Sequence, residues 1–260
     1  VATFVQQVYL PDVLAIGSMY PEWLSYGAGV TNYLAVPDLP LDAKATQFDL
    51  PGGTILGGDV GSFQAMTSWT DERFRDQVVE SIAHSWYDGD WTRHPWEEET
   101  VPKYGEWQDG GKYSWIKSPR WKGHPVEVGP LARYVVAYAR GNKEIQEQVN
   151  GALKALDVPV TALFSTLGRT AARGLECQWA AHKMRYFYNQ LVANIKAGDL
   201  ATANVEKWEP STWPTEAKGV APCEAPRGAL AHWVKIKSGR IDSYQCVVPT
   251  TWNAGPRDAK

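Results

Sequence analysis

The chain has 260 residues, 44% of them hydrophobic, and this length fits one large domain or two small ones. Its formal net charge is -3 and its 26 lysine and arginine residues are scattered, which excludes the electrostatic pattern of a nucleic-acid-binding protein. The longest apolar stretches fall far short of the roughly 20 residues that a membrane helix needs, so no membrane-spanning segment is predicted.

Aromatic residues and cysteines are the unusual parts of the composition. The 13 tryptophans and 12 tyrosines are large side chains that stabilise most when a subunit interface or a deep core covers them, so a large buried contact is expected. The three cysteines, Cys177, Cys223 and Cys246, are far apart and odd in number, which gives neither a disulfide framework nor a CxxC metal motif. Three unreactive thiols are the simplest interpretation.

The first part of the chain predicts a broken helix, an irregular β-containing insert and a second helix. Residues 2–20 have helical apolar spacing that Pro11 interrupts, which predicts two short helical pieces or one kinked helix. Residues 26–63 combine glycine and proline with alternating apolar residues and predict short strands and turns. A helix is predicted over 70–86, because a Thr-Asp-Glu start precedes apolar residues at every fourth position, namely Phe74, Val78 and Ile82.

The middle of the chain predicts a long loop followed by three helices. Residues 88–125 are polar, aromatic and rich in glycine and proline, and long loops of this kind usually serve function or face a partner. Helices are predicted over 130–140 and from residue 142 onward, separated by a glycine. The strongest helical pattern covers 159–196 and ends before Gly198, and its small residues would let other helices approach closely in a bundle.

Two β-favouring runs, 229–237 and 241–249, are joined by a Ser-Gly pair and predict a hairpin. The predicted fold class is therefore α+β and mostly α, a long-helix bundle with an irregular β insert and a β-hairpin. This hairpin would bring Arg227 and Thr250, which lie just beyond its two outer ends, close to each other. Spacing alone leaves two interpretations open, a functional site or a pair of turns with a solvated arginine.

Motifs along essentially the whole chain resemble those of one enzyme family. The late motifs are EAPRGAL at 224–230, YQCVVPTTWN at 244–253 and PRD at 256–258. The earlier motifs are FVQQVYLPD at 4–12, YSWIKSPR at 113–120 and EVGPLAR at 127–133. Together they are similar to the large subunits of nickel-iron hydrogenases, and most similar to the membrane-bound uptake group. The resemblance implies that the predicted hairpin lies beside the active site.

The family's active site is a nickel and an iron bridged by cysteine thiolates, and the iron carries cyanide and carbon monoxide. Cyanide accepts hydrogen bonds, and the resemblance implies Arg227 and Thr250 as its donors. Arg227 is also the implied catalytic residue, held over the open metal position where hydrogen is split. Because a guanidinium is a poor base, we expect electrostatic positioning by Arg227 rather than proton removal.

Other residues of the late motifs are implied as the surroundings of these ligands. Ala225 and Pro226 would bring the chain close to the diatomic ligands, and carbon monoxide would lie against an apolar surface. The residues that match this surface are Leu230, Val248 and Pro249. A magnesium ion near the site would take the backbone carbonyl oxygen of Cys246 as a ligand.

The sequence departs from the family because it lacks both CxxC pairs, which supply the nickel ligands. Residues 1–260 are therefore interpreted as an internal and C-terminal portion of the large subunit, a single structural unit incomplete at both ends. We expect it to be inactive alone, because the nickel and iron cysteine ligands are absent. No metal is assigned to Cys177 or Cys223, and His232 is not expected to be a ligand.

The resemblance also implies a reaction, partners and a location. The reaction is the reversible oxidation of H2 to protons and electrons, and the electrons pass to a small subunit that carries iron-sulfur clusters. The Trp-rich loop 86–121 is a candidate for part of that contact, and membrane attachment would come only through cytochrome b-type subunits. The small subunit's signal would export both subunits to the periplasmic side of the cytoplasmic membrane. Two alternatives stay open: a hydrogen sensor that signals to a kinase, and a metal-free relative such as the quinone-site subunit of respiratory complex I.

Overall fold

The computed structural model describes residues 1–203 and 205–257, and Asp258 of the PRD motif lies outside this range. The helices are α1 (Ala2–Phe4), α2 (Leu10–Met19), α3 (Glu72–Arg75), α4 (Pro130–Ala139), α5 (Lys143–Leu156), α6 (Thr166–Lys196) and α7 (Pro249–Ala254). The strands are β1 (Tyr33–Ala35), β2 (Asp38–Pro40), β3 (Phe48–Leu50), β4 (Gly52–Ile55), β5 (Gln64–Met66), β6 (Val78–Ser81), β7 (Thr92–Arg93), β8 (Ser118–Trp121), β9 (Glu216–Ala225), β10 (Gly228–Lys237) and β11 (Arg240–Val247). Within this described part, no helix has the length and apolar content to cross a membrane.

The chain divides into two compact units. Unit 1 comprises Val1–Gly27 and Glu147–Thr215, and unit 2 comprises Ala28–Gln146 and Glu216–Lys260. Every strand of the described residues belongs to unit 2. The predicted α+β class is confirmed, whereas the description as mostly helical applies to unit 1 only.

The N-terminal helix of unit 1 is broken where the sequence predicts a break. A π-helical turn, Val5–Tyr9, separates α1 from α2 and comes directly before Leu10 and Pro11. Proline donates no backbone hydrogen bond and its ring crowds the preceding turn, so the wider turn accommodates it without ending the helix. The segment is therefore one helix interrupted by a π-helical turn and not two separate helical pieces.

The long helix α6 of unit 1 begins later than predicted, at Thr166 rather than near residue 159. The Ser165 hydroxyl accepts a hydrogen bond from the Gly168 backbone N–H at 3.0 Å and caps the helix, and a 3-10 turn, Val160–Leu163, occupies the residues before it. A Cβ atom at Gly168 would lie 2.1 Å from the Leu163 carbonyl oxygen, so this approach requires glycine. The predicted end is confirmed, with Gly198 at φ +85° after Lys196.

Unit 2 contains small antiparallel sheets around one hydrophobic core. Their strand orders are β1-β4-β5, β2-β3, β7-β6-β8 and β11-β10-β9, which confirms the predicted β insert over 26–63. Side chains from several of these elements meet in the core, including Leu34, Val78, Trp121, Trp233 and Trp252. The helix predicted over 130–140 is confirmed as α4, a largely buried helix, and α5 follows as predicted.

The helix predicted over 70–86 is wrong. The Asp71 carboxylate caps only the short helix α3, and the chain then extends as β6, where Val78 pairs with Trp121 of β8. Phe74, Val78 and Ile82 are all at most 1% exposed, so their spacing reflects burial in a core and not a helical face. The β-branched residues Val78 and Val79 favour a strand once β8 supplies the partner.

The sheet near the end of the chain is larger than the predicted hairpin. Strands β10 and β11 pair around Ser238 and Gly239, as predicted, with a register shift between Lys235 and Ile236. Strand β9, which pairs along the other edge of β10, was not predicted from the sequence. The last strand ends earlier than the predicted residue 249, because the chain turns into helix α7 at Pro249.

Candidate functional site

Arg227 lies at the tip of a tight hairpin between β9 and β10. Ala225 and Gly228 are register partners, so the loop between the strands consists of Pro226 and Arg227 alone. Gly228 has φ +132°, a conformation that favours glycine in such a turn. The side chain of Arg227 is exposed, as is Pro226, while Gly228 is buried.

The second motif of the late signature begins at the same end of β10. Ala231 pairs with Val247, the last residue of β11, and the chain then continues through Val248 into α7, which packs against β10. This register places the start of α7, with Pro249 and Thr250, beside the Arg227 end of the strand. The two segments are therefore at one end of the sheet, as the hairpin predicts. Pro249 is buried, Val248 is half-buried and Thr250 is exposed.

A third segment, Val128-Gly129, joins these two. A Cβ atom on Gly129 would lie 2.9 Å from the carbonyl oxygen of Arg227, and one on Gly228 would lie 2.6 Å from the backbone nitrogen of Gly129. On the other side, the Asn253 amide accepts from the Val128 N–H at 3.0 Å and donates to the Val128 carbonyl at 2.9 Å. Val128 thus links the arginine turn to α7, a role that the sequence analysis missed.

Arg133 of α4 reaches the residues just before Arg227. Its Nη1 atom donates to the Glu224 carboxylate at 2.6 Å and to the Ala225 carbonyl at 3.1 Å, and its Nη2 atom donates to the Pro226 carbonyl at 3.1 Å. The side chains of Arg133 and Glu224 are 4% and 2% exposed. Burial raises the pKa of Glu224 to about 7, while Arg133 and the Val36 N–H act in the opposite direction.

A second buried charged cluster contains one lysine and two glutamates. The Lys117 ammonium contacts Glu80 at 2.5 Å and also pairs with Glu98, and neither glutamate side chain is exposed to solvent. Burial and repulsion from Glu80 raise the pKa of Glu98 to about 8, although Lys117 opposes this shift. Gln245, the neighbour of Cys246 in β11, accepts from Lys117 at 3.3 Å. No pattern in the sequence pointed to these two glutamates.

The cysteine side chains do not assemble a metal site. Cys177, Cys223 and Cys246 are free thiols, and across residues 1–203 and 205–257 there is no group of three His, Cys, Asp or Glu side chains that could hold a metal ion. The Cys246 sulfur lies 3.5 Å from His232 Nδ1, and His232 also bonds the Tyr244 hydroxyl. Among the described residues, therefore, the cysteines do not form a thiolate metal site.

Known proteins with this sequence pattern are hydrogenase large subunits. The nickel-dependent hydrogenase family matches residues 1–260. The uptake hydrogenase large subunit of Bradyrhizobium diazoefficiens is 52% identical, and that of Rhizobium leguminosarum bv. viciae is 50% identical. The hydrogenase-1 large chain of Escherichia coli K12 is 44% identical. These matches cover 98–100% of this chain and 46% of each relative.

The fold is also similar to that of solved hydrogenase structures. The crystal structure of a reduced, active form of the Ni-Fe-Se hydrogenase from Desulfomicrobium baculatum matches with a TM-score of 0.74 and 29% identity, over 99% of this chain and 50% of that chain. The chain therefore belongs to the nickel-dependent hydrogenase family. It corresponds to a segment of the large subunit and spans slightly less than half the length of the curated relatives that it matches.

Proposed function

We propose that this chain is part of the large subunit of a membrane-bound uptake hydrogenase, which catalyses the reversible oxidation of H2 to protons and electrons. The observation that carries the proposal is the Pro226-Arg227 turn, which buried groups hold at the same end of β10 as Thr250. A solvated arginine in an ordinary turn would not need a buried ion pair beneath it. The family match and the high identity to uptake hydrogenases support this function over that of a metal-free relative.

Arg227 is proposed as the catalytic residue. A bound nickel-iron centre would supply the binding of hydrogen and the acceptance of its electrons. A guanidinium keeps its positive charge at any working pH, so Arg227 would act by electrostatic attraction and by hydrogen bonding and would not remove a proton. Its exposed position at the tip of a two-residue turn leaves the side chain free to face a group supplied by the rest of the protein.

The residues around Arg227 suit diatomic ligands on iron, cyanide and carbon monoxide. The exposed Thr250 hydroxyl can donate a hydrogen bond to cyanide. Ala225 and Pro226 adjoin Arg227 in the same turn. Carbon monoxide is a poor hydrogen-bond acceptor and would lie against apolar side chains. Those that we assign to this surface are Leu230, Val248 and Pro249.

A magnesium ion is proposed to bind the backbone carbonyl oxygen of Cys246. Support comes from the buried oxygens beside it, because Mg²⁺ prefers oxygen ligands and excess negative charge. Glu80 and Glu98 each have an Oε1 atom without a hydrogen-bond partner among the described residues, and Gln245 connects their cluster to Cys246 along β11. The Cys246 thiol itself needs no role in this arrangement.

The electrons are proposed to pass to a small subunit with iron-sulfur clusters, and the segment 86–121, predicted as a loop but including β7 and β8, is proposed as part of the contact. Three of its aromatic rings form a partly exposed cluster: Trp86 lies 5.1 Å from Tyr104 and 5.2 Å from Trp115, and Tyr104 is 68% and Trp115 47% exposed. Aromatic side chains of this kind are enriched in protein interfaces. Export with the small subunit to the periplasmic side, and attachment through cytochrome b-type subunits, complete the proposal.

Substitution Arg227→Lys in the assembled hydrogenase tests the function. We expect nickel and iron content to stay normal and hydrogen oxidation to fall by at least about a hundredfold, the scale of losing one preorganised electrostatic group. Lysine keeps the charge but lacks the planar fork of donors. The matched control is Arg73→Lys, which removes a similar fork from an exposed arginine that pairs with Asp71, and it should leave activity unchanged. Near-normal turnover of the Arg227 variant would contradict the proposal.

A further inference from the structure

Arg133 directs its guanidinium at the three consecutive residues that precede Arg227. Its Nη1 atom donates to both the Glu224 carboxylate, at 2.6 Å, and the Ala225 carbonyl, at 3.1 Å. Its Nη2 atom donates to the Pro226 carbonyl at 3.1 Å. Two of these acceptors are backbone atoms. The side chain therefore holds the path of the chain into the turn and does not merely neutralise a carboxylate.

Glu224 ties the same stretch to a second element. Its Oε1 atom accepts from the backbone N–H of Val36 at 2.8 Å, and its own backbone N–H donates to the Asp38 carboxylate at 2.7 Å. Val36 follows β1 directly and is completely buried. The end of β9 is thus fixed both to helix α4, through Arg133, and to the β1–β2 connection.

The Val128-Gly129 backbone closes the turn from the other side. The Gly129 and Gly228 backbones are so close that a Cβ atom on Gly228 would lie 2.6 Å from the Gly129 nitrogen. Exposed two-residue turns ordinarily move more than the strands that they connect. This one carries an exposed arginine on a backbone that buried partners hold in place.

We propose that Arg133 and Glu224 are positioning residues that fix the Arg227 guanidinium in the geometry required for hydrogen oxidation. The inference rests on the proposed function, because it presumes that Arg227 acts in the reaction. A displacement of a reacting group by about 1 Å can cost a hundredfold in rate. The contacts of Arg133 and Glu224 can therefore have a large effect on turnover, although neither side chain touches hydrogen or metal.

Holding the backbone before Arg227 requires several N–H donors in one plane, and only arginine, not lysine, provides them. Arginine presents several N–H groups in one plane, which lets Arg133 bond a carboxylate and two carbonyls together. In Arg133→Lys the positive charge beside Glu224 is retained, but one ammonium on a flexible stem cannot reproduce all of these contacts. The variant therefore separates the positioning role from charge neutralisation.

The experiment is a double-mutant cycle in the assembled hydrogenase with Arg133→Lys, Arg227→Lys and both together. With nickel and iron content unchanged, Arg133→Lys should lower kcat roughly tenfold with little change in KM, since a misplaced group acts mainly on the transition state. In the Arg227→Lys background the same substitution should change kcat by less than about twofold, because the group that it positions is already gone. Arg73→Lys is again the control, with unchanged activity expected.

The outcomes separate the two proposals. Normal activity of Arg227→Lys alone contradicts the proposed role of Arg227, and the positioning role with it. If Arg227→Lys is impaired but Arg133→Lys is normal, or if the two losses multiply in the double variant, only the positioning role is overturned. Should Arg133→Lys fail to assemble, Glu224→Gln takes its place in the cycle. It keeps the acceptor for Val36 and weakens the Arg133 contact, and the same non-multiplying loss of activity is expected.

Discussion

Two buried charged clusters of unit 2 each pair a basic side chain with glutamate but differ in the number of carboxylates that pair with it. In the first, Arg133 pairs with the Glu224 carboxylate and also donates to the backbone carbonyls of Ala225 and Pro226. In the second, Lys117 faces two carboxylates, Glu80 and Glu98, and each of these has an oxygen atom without a hydrogen-bond partner among the described residues.

The difference shows that the donors or acceptors left over after an ion pair forms determine its further role. Surplus donors, as on Arg133, can fix the backbone of a neighbouring turn, because carbonyl oxygens are available acceptors everywhere in the chain. Surplus acceptors, as on Glu80 and Glu98, leave an uncompensated negative charge that burial makes costly. Such a cluster takes up a proton or a cation, which agrees with the raised pKa of Glu98.

The strongest test of this comparison removes the only cation that the Lys117 cluster has among its described contacts. Lys117→Met leaves Glu80 and Glu98 buried without their cation, and breaking a buried pair in this way costs about 3–5 kcal/mol of unfolding free energy. Urea titration of the purified subunit measures this loss. Lys103→Met is the control, since Lys103 pairs with Asp88 at an exposed site and should contribute less than about 1 kcal/mol. Equal losses for the two variants would contradict the importance of burial.

A smaller effect should distinguish the carboxylates of the two clusters. Glu224→Gln in the first cluster should cost about 1–3 kcal/mol of unfolding free energy, because both Glu224 oxygens accept hydrogen bonds, one from Val36 and one from Arg133, and the NH2 group of glutamine must face one of these donors. Glu98→Gln at pH 7 should cost less than about 1 kcal/mol, because glutamine resembles the protonated glutamate that the raised pKa favours. The same urea titrations decide this. A larger loss for Glu98→Gln would show that Glu98 is needed as an anion.

The smallest expected effect is a change in the pH dependence of stability. Glu98 has a pKa raised from 4.5 to about 8 in the folded protein, so the folded state binds its proton more tightly than the unfolded state does. Its contribution is fully present below pH 4.5 and is lost as pH rises through 8. Between these values the Glu98→Gln variant should lose less stability than the unmodified protein. Parallel stability curves for the two proteins would show that Glu98 does not titrate in this range. Glu224 acts in the same direction in both proteins and therefore cancels.

Local chemistry accounts for the elements that the sequence predicted and for those that it missed. Gly198, Pro130 and the Ser238-Gly239 turn act through their own backbone preferences, which hold wherever the chain places them. Strand β9 gave no such signal, because it is a largely exposed edge strand that includes Pro222. The helix predicted over 70–86 failed because apolar residues four apart can also be buried from a turn and a strand.

The sequence by itself determined the family, the two late motifs and the end of the sheet at which they lie, since a hairpin follows from local pattern and turn residues. Only the tertiary structure revealed the partners beneath the motifs. Arg133 and Glu224 are 91 positions apart, and Val36 and Glu224 are 188 apart. Separations of this size carry no local signal, because the pairing is set by how α4, β1 and β9 pack and not by any preference of the residues themselves.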